Sequence, residues 1–369
     1  MEKFDGIKKR FGFGCMRLPT RAGLMDIKQF SRMTDRFLEA GFNYFDTARG
    51  YMLGRSEGAV RKALTSRYPR DAFVLTDKLS SHCFKKESDI PKILEAQLKD
   101  CGVDYFDFYL MHAQDRKLYK KYTELNAYEQ AARFKREGKV KHVGLSFHDN
   151  AEILDKILTE HPEIEIVQIQ FNYLDYFDES VESKKCYDVC MKHDKPVIVM
   201  EPVKGGLLAK LPEDAAEVFA ALGDASPASY ALRFAAGFEG VRMILSGMSD
   251  EKMLEENIGT MSDPKPLSAG EAEAVARVGE ILRGKGDIAC TACRYCLEGC
   301  PKHIPIPDLF ACLNAKRSLG DKGADYYYAI HTAEGGRAKE CLGCGACEKV
   351  CPQHLEIRKL LKEVSKAFD

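Results

Sequence analysis

Three short apolar runs in this chain each close on an ionisable residue. Asn43-Tyr44-Phe45 leads to Asp46, Phe73-Val74-Leu75-Thr76-Asp77 to Lys78, and Phe108-Tyr109-Leu110-Met111 to His112. Tyr51 follows Asp46 by five residues, beyond a turn containing Gly50. A phenol with a pKa near its ordinary value of about 10 is a poor acid at neutral pH. A nearby ammonium lowers that pKa, a carboxylate keeps the ammonium charged and placed, and an imidazole orients a carbonyl oxygen. The four side chains therefore suit protonation of an oxygen while a hydride reaches its carbon. Taken singly, a strand-end Asp or His is usually structural, a Lys solvated and a Tyr part of the core. Their recurrence at successive strand ends is what points to catalysis.

Eight of the 14 cysteines stand in two short runs. Cys290-x2-Cys293-x2-Cys296-x3-Cys300-Pro301 is echoed by Cys341-x2-Cys344-x2-Cys347-x3-Cys351-Pro352. Two residues between thiolates let one tight loop supply three corners of a cubane, while the Cys before Pro leaves in another direction. In two-cluster ferredoxins that fourth Cys ligates the other cluster. The pattern assigns Cys290, Cys293, Cys296 and Cys351 to one [4Fe–4S] cluster, and Cys341, Cys344, Cys347 and Cys300 to a second. Zinc is the alternative, because paired Cys-x2-Cys units also bind it. Two full runs ending in Cys-Pro favour iron and sulfur. Of the remaining six cysteines, Cys312 lies on an apolar face with Phe310 and Leu313 and reads as core. Cysteines bunched in this way in a cytosolic chain signal metal rather than disulfides.

The elements that must position these groups are legible as a period. Strand-like runs at 11–16, 43–46, 73–77, 106–112, 140–146, 164–171, 196–201 and 241–246 alternate with stretches of helical spacing. The helical stretches are 29–40, 57–68, 90–101, 122–137, 151–160, 179–193, 228–236 and 251–257. Gly41, Gly102, Gly138 and Gly237 stand where those helices should stop. Eight such units predict an α/β fold, a (β/α)8 TIM barrel, with active-site residues at the C-terminal ends of its strands. An open doubly wound sheet is the alternative, but Phe11-Gly12-Phe13-Gly14 lacks the third glycine of a dinucleotide fingerprint. A further helix is expected at 269–282, and the composition changes after Arg283-Gly284-Lys285-Gly286-Asp287. The expected domains are a barrel over 1–285 and a small, mainly α-helical ferredoxin-like domain over 286–369.

From about residue 10 to residue 260 the chain resembles the aldo-keto reductase superfamily. Asp46, Tyr51, Lys78 and His112 stand in the family's tetrad order. Gly12-Phe13-Gly14-Cys15-Met16-Arg17-Leu18-Pro19 resembles its first strand, Val143-Gly144-Leu145-Ser146 its fifth, and Gln168-Ile169-Gln170-Phe171-Asn172 its sixth. The resemblance implies a nicotinamide cofactor, NAD(H) or NADP(H), extended across the barrel mouth, with Tyr51 as general acid. It also implies Ser146 and Gln168 at the carboxamide, and Glu201, Val203 and Gly205 along the pyrophosphate. Ser246, Gly247, Met248 and Asn257 would approach the adenosine half. Met200 replaces the aromatic that commonly stacks on nicotinamide, and Phe147 replaces an Asn. Where the family's NADPH users carry basic residues, this chain has Asp250, Glu251 and Met253, with Lys252 the basic residue of the run. Such a pocket suits a phosphate dianion poorly, so NADH, or a flavin instead, becomes credible. Forty residues separate the cysteine runs and include helical stretches near 307–319 and 324–332. That spacing resembles α-helical ferredoxin domains. Joined to the barrel, it resembles a group of aldo-keto reductases with a C-terminal 4Fe–4S dicluster domain.

A chain of 369 residues that is 45% hydrophobic is ample for one barrel and an appendage. Its net charge of −1, with interspersed signs, offers no field for nucleic acid or an acidic membrane. Residues 1–14 lack the apolar core of a signal peptide, and a cytoplasmic location is expected. A hydride carries two electrons and a cubane passes one, which leaves three readings. One is a reductase of a small carbonyl or alcohol substrate whose clusters trade electrons with a carrier such as a ferredoxin or flavoprotein. Another is an electron-transfer protein whose barrel binds flavin or has lost reductase activity. The last is a cluster domain that merely caps the substrate mouth. Phe147, Tyr173 and Phe177 are candidates to border the substrate.

Overall fold

A computed structural model describes residue 4 and residues 6–177, 181–284, 288–318, 324–332 and 335–369. Eight parallel strands close into a barrel: β1 (Phe11–Gly14), β2 (Tyr44–Asp46), β3 (Val74–Leu79), β4 (Phe106–Gln114), β5 (Val140–Phe147), β6 (Ile166–Gln170), β7 (Val197–Met200) and β8 (Val241–Gly247). Each pairs with the next in sequence, and β1 pairs with both β2 and β8 to close the ring. Side chains alternate along a strand, so register decides what faces inward. Tyr44, Val74, Phe108, Leu110, Ile166, Ile198, Met243 and Leu245 form one buried cluster inside the ring. The interior is tight. A Cβ on Gly144 would lie 2.6 Å from the Ile166 carbonyl oxygen, and one on Gly12 2.7 Å from Leu245 Cδ2.

The opposite strand faces meet the surrounding helices. Helix Ile27–Glu39 shows why: Phe30, Met33, Thr34 and Phe37 recur at helical spacing and are buried, and Asp26 caps its start by accepting from the Gln29 amide at 2.9 Å. Its Phe37 interlocks with Phe11, Phe13, Phe42 and Phe45, with ring centroids 5.1 to 6.0 Å apart. The stretch expected as one helix over 122–137 is two, Arg116–Glu124 and Ala127–Arg136, broken at Asn126, whose φ of 54° is left-handed. Asn tolerates that region better than most residues. The expected helix at 57–68 runs Ser56–Val60 and then widens to π-helical hydrogen bonding over Arg61–Thr65. Gly41, Gly102 and Gly138 end their helices with positive φ, whereas Gly237 does so without one.

The chain groups into two compact units that are discontinuous in sequence. One holds the barrel; the other holds the described residues of Lys204–Pro227 and Ser268–Asp369. Helix Glu213–Ala220, which the sequence did not suggest, packs on helix Ala269–Gly284 within the second unit. Its main core joins Ile304, Ile306, Leu309, Phe310, Leu313, Tyr328, Ile357, Leu361 and Val364, with Cys312 among them as expected. Lys285, Gly286 and Asp287 of the expected linker Arg283–Asp287 lie outside the described residues, as do residues 179 and 180 of the expected helix at 179–193.

Candidate active site and candidate cluster sites

Register brings the ionisable residues to one face. Asp46 pairs with Thr76, and Lys78 lies two residues beyond Thr76 on β3. Lys78 pairs with Leu110, and His112 lies two residues beyond Leu110 on β4. Steps of two preserve orientation, so all three share the inward face of the tetrad end. Leu110 likewise pairs with Gly144, two before Ser146, which pairs with Gln168. The buried Lys78 ammonium donates to Asp46 Oδ1 at 2.5 Å and to the Thr47 carbonyl at 2.9 Å. Gln168 Nε2 reaches Asp46 Oδ2 at 3.5 Å. Burial raises the Asp46 carboxyl, while Lys78 and Gln168 oppose the rise.

Tyr51 is aimed back over this group by its loop. Met52, Leu53 and Gly54 follow it with φ of 53°, 57° and 76°. Arg49 pairs with Glu57 and Asp100, and Ser56 bonds both Thr47 and the Cys15 carbonyl, which ties the loop to β1. The Tyr51 ring lies 5.8 Å from the His112 ring and has the Lys78 ammonium 4.8 Å from its centroid. The tetrad is therefore assembled.

Its electrostatics differ from the expectation at one point. The Tyr51 phenol is pushed well up rather than down, by burial first and then by Asp46 and Glu201, with Arg17 opposing. The ammonium meets the ring face and is engaged by Asp46, so its charge does not outweigh the carboxylates. Burial, then Lys78, His148 and His82, holds His112 well below its ordinary value. Ser80 Oγ lies 2.6 Å from His112 Nδ1.

The residues expected at a cofactor scatter more. Ser146 Oγ accepts from the Ala113 amide at 2.7 Å, where a bulge interrupts β4, and stands beside Gln168. Ser246 Oγ accepts from Asn257 Nδ2 at 3.3 Å. Gly247 is exposed at the end of β8, with the Arg17 stem 3.4 Å from where its Cβ would stand. Arg17 Nη1 is 3.7 Å from Glu201, a residue with φ of 57°. Met200 and Val203 are partly buried, whereas the Met248 side chain is fully buried in the core. Gly205 belongs to the second unit. Glu251 and Glu255 are tied to Arg32 and Arg36 at 2.8 and 2.7 Å, and Lys252 Nζ is 3.9 Å from Glu256.

Sequence reasoning passed over Ser80, Arg17 and His148. Ser80 was within reach, since it lies two residues beyond Lys78 and shares its orientation. Nothing local marked the other two.

In the second unit the cysteines gather into the two crossed sets. Cys290, Cys293, Cys296 and Cys351 line one pocket, and Cys300, Cys341, Cys344 and Cys347 line another. Four thiolates around one pocket are the ligand set that a [4Fe–4S] cluster takes.

Residues 10–280 match the Aldo/keto reductase family, and residues 289–355 match the 4Fe-4S dicluster domain. This chain belongs to the aldo/keto reductase family and carries a C-terminal 4Fe-4S dicluster domain. An uncharacterised oxidoreductase of Schizosaccharomyces pombe is 26% identical over 69% of this chain and 82% of its own length. The NADH-specific methylglyoxal reductase of Escherichia coli is 29% identical over 47% of this chain, which spans 57% of that enzyme. Among solved structures, an aldo-keto reductase from Bacillus halodurans in its holo form superposes with a TM-score of 0.61 at 24% identity, covering 75% of this chain and 94% of its own. One from Klebsiella pneumoniae in complex with NADPH gives 0.59 at 18% identity, covering 73% and 90%. These structural likenesses show the fold. Among the described residues no helix is long and apolar enough to cross a membrane.

Proposed function

We propose that the protein is an NAD(P)H-dependent reductase of small carbonyl compounds, running also as an alcohol dehydrogenase, with Tyr51 as general acid and base. The assembled set of Asp46, Tyr51, Lys78 and His112 carries this reading. Ser146 and Gln168 side by side suit a carboxamide, and exposed Gly247 under the Arg17 stem suits a diphosphate. When bound, the nicotinamide supplies or accepts a hydride at the substrate carbon. Tyr51 gives its phenolic proton to the carbonyl oxygen and recovers it from solvent. Asp46 holds Lys78 charged against the Tyr51 ring. A Ser80 hydroxyl donating to His112 Nδ1 leaves the ring proton on Nε2, where it can donate to the same oxygen.

NADH is the favoured donor. Asp250 caps helix Glu251–Met261, and Met253 stands where an Arg would meet a 2′-phosphate. The cysteine sets hold two [4Fe–4S] clusters that exchange electrons with a carrier such as a ferredoxin or flavoprotein. The exposure of Cys344 and of Leu342, the latter 64% exposed, supports such an exchange at the second cluster. A reducing cytoplasm would suit such clusters and the reduced cysteines.

Tyr51→Phe tests the reading. Reduction of methylglyoxal and other aldehydes by NADH should fall by at least ~100-fold, the usual worth of a positioned proton donor. Unchanged turnover would remove the tetrad mechanism.

A further inference from the structure

His112 stands where the sheet stops holding it. The β3–β4 ladder ends at Leu79 and Met111. Beyond Met111 the register of β4 with β5 shifts, and Ala113 takes a left-handed φ of 55°. The orientation of the imidazole is therefore set by what its ring touches. The first contact past the last paired residues is between side chains, with Ser80 Oγ 2.6 Å from His112 Nδ1. Ser80 is 1% exposed, and among the described residues its hydroxyl has His112 as its partner. That decides the direction of the bond. Were the ring proton on Nδ1, Ser80 would accept it, and its own hydroxyl hydrogen would be buried without an acceptor. Leaving a buried donor unpaired costs the full desolvation of that group. With Ser80 donating, both atoms are satisfied and the ring proton is on Nε2.

Ser80 is itself held on both flanks by one helix. Tyr122 donates its hydroxyl to the Leu79 carbonyl. Lys121, the residue before it on helix Arg116–Glu124, donates to the carbonyls of Ser81 at 2.6 Å and Phe84 at 2.8 Å. The same ammonium lies 4.6 Å from the centroid of the Phe84 ring. Among the described residues it pairs with no carboxylate. A helix-surface lysine ordinarily keeps its charge in water; here two carbonyls and a ring face receive it. Both carbonyls belong to the tight turn Ser81–Cys83 and its exit, directly after Ser80. We propose that Ser80 and Lys121 are positioning residues for His112. Lys121 clamps the turn after β3, and Ser80, placed by that clamp, keeps the imidazole proton on Nε2 for the substrate oxygen. The inference rests on the reading that His112 orients a carbonyl beside Tyr51.

Nitrogen-15 spectra of the cluster-loaded full chain with labelled histidine test the tautomer near neutral pH, the His112 signals being those lost in His112→Gln. Nε2 should carry the proton, and Nδ1 should show an accepted hydrogen bond that Ser80→Ala removes. Turnover of methylglyoxal with NADH tests the consequence. Ser80→Ala should lower kcat by ~10- to 100-fold, the scale of a misplaced group, and change KM little. Lys121→Met should lower kcat in the same direction and weaken the Nδ1 signature, whereas Lys121→Arg should restore both. The double variant should lose less than the product of the single losses, because both changes act on one imidazole. If His112→Gln turns over as fast as the unaltered protein, the role of His112 fails and the inference with it. If His112→Gln is slow but the unaltered chain carries its proton on Nδ1, the inference alone fails, whether or not the other variants fold. An unmoved kcat and signature in Lys121→Met would leave Lys121 a purely structural tie and overturn its positioning role.

Discussion

Asp46 and Lys78 are buried together, and what each costs depends on the other. Removing one partner of a buried ion pair strands a charge and typically costs about 3–5 kcal/mol. Lys78→Met should therefore lower unfolding free energy by about that much in a denaturant titration. Adding Asp46→Asn should recover most of it and restore no reductase activity. Purely additive losses would mean that the pair does not act as a unit. Acidity gives a second handle. Because burial and Asp46 push the Tyr51 phenol above 10, its proton stays on through neutral and moderately alkaline pH and leaves only above its raised pKa. Carbonyl reduction followed as kcat/KM should show no fall due to this group below about pH 10. A descending limb near neutrality that disappears in Tyr51→Phe would contradict this placement. Asp46, Lys78 and His112 could be read in the sequence because each closed a strand-like run, and Tyr51 because it followed the first across a turn containing Gly50. The direction of the phenol's shift could not, since it depends on where Asp46 and Glu201 come to lie in three dimensions. Asp77 makes the same point. It adjoins Lys78, yet the alternation of β3 turns it away from the tetrad to receive the Cys101 thiol at 3.7 Å.

All eight strands were legible because parallel strands buried on both faces read as continuous apolar runs. Their ends were less so. β4 runs past His112 to Gln114 through Ala113, whose φ of 55° accompanies the bulge. No local composition signals such a step. The cysteine loops show a repeat of conformation beyond their repeat of sequence. Ala292 and Arg294 in the first, and Gly343 and Gly345 in the second, take positive φ at matching places, as do His303 and His354 after each Cys-Pro. The second loop meets the requirement with glycine and the first pays a steric penalty. Ala292→Gly should thus relieve strain at its φ of 53°, though glycine's added freedom in the unfolded chain offsets part of the gain. We expect a net stabilisation of up to about 1 kcal/mol, read as a higher midpoint in thermal unfolding of cluster-loaded protein. A lower midpoint would show that the Ala methyl is needed there.

At the scale of the molecule, composition and period announced a barrel followed by a cluster domain, and the two families matched along the chain are those. Spatial grouping was less legible. Residues Lys204–Pro227, which follow β7 in the chain, join the compact unit of the cysteine runs. No shift in composition marks where they leave the barrel unit, because the segment is an amphipathic turn and helix like its neighbours. The central claim is that a hydride passes directly to substrate at Tyr51 and does not travel as single electrons through the clusters. It is tested most directly by reducing an aldehyde with NADH deuterated at C4, on each face in turn, using anaerobically purified protein. The account predicts one deuterium on the carbinol carbon from one of the two labelled cofactors. An alcohol formed with only solvent hydrogen at that carbon, from both cofactors, would contradict it.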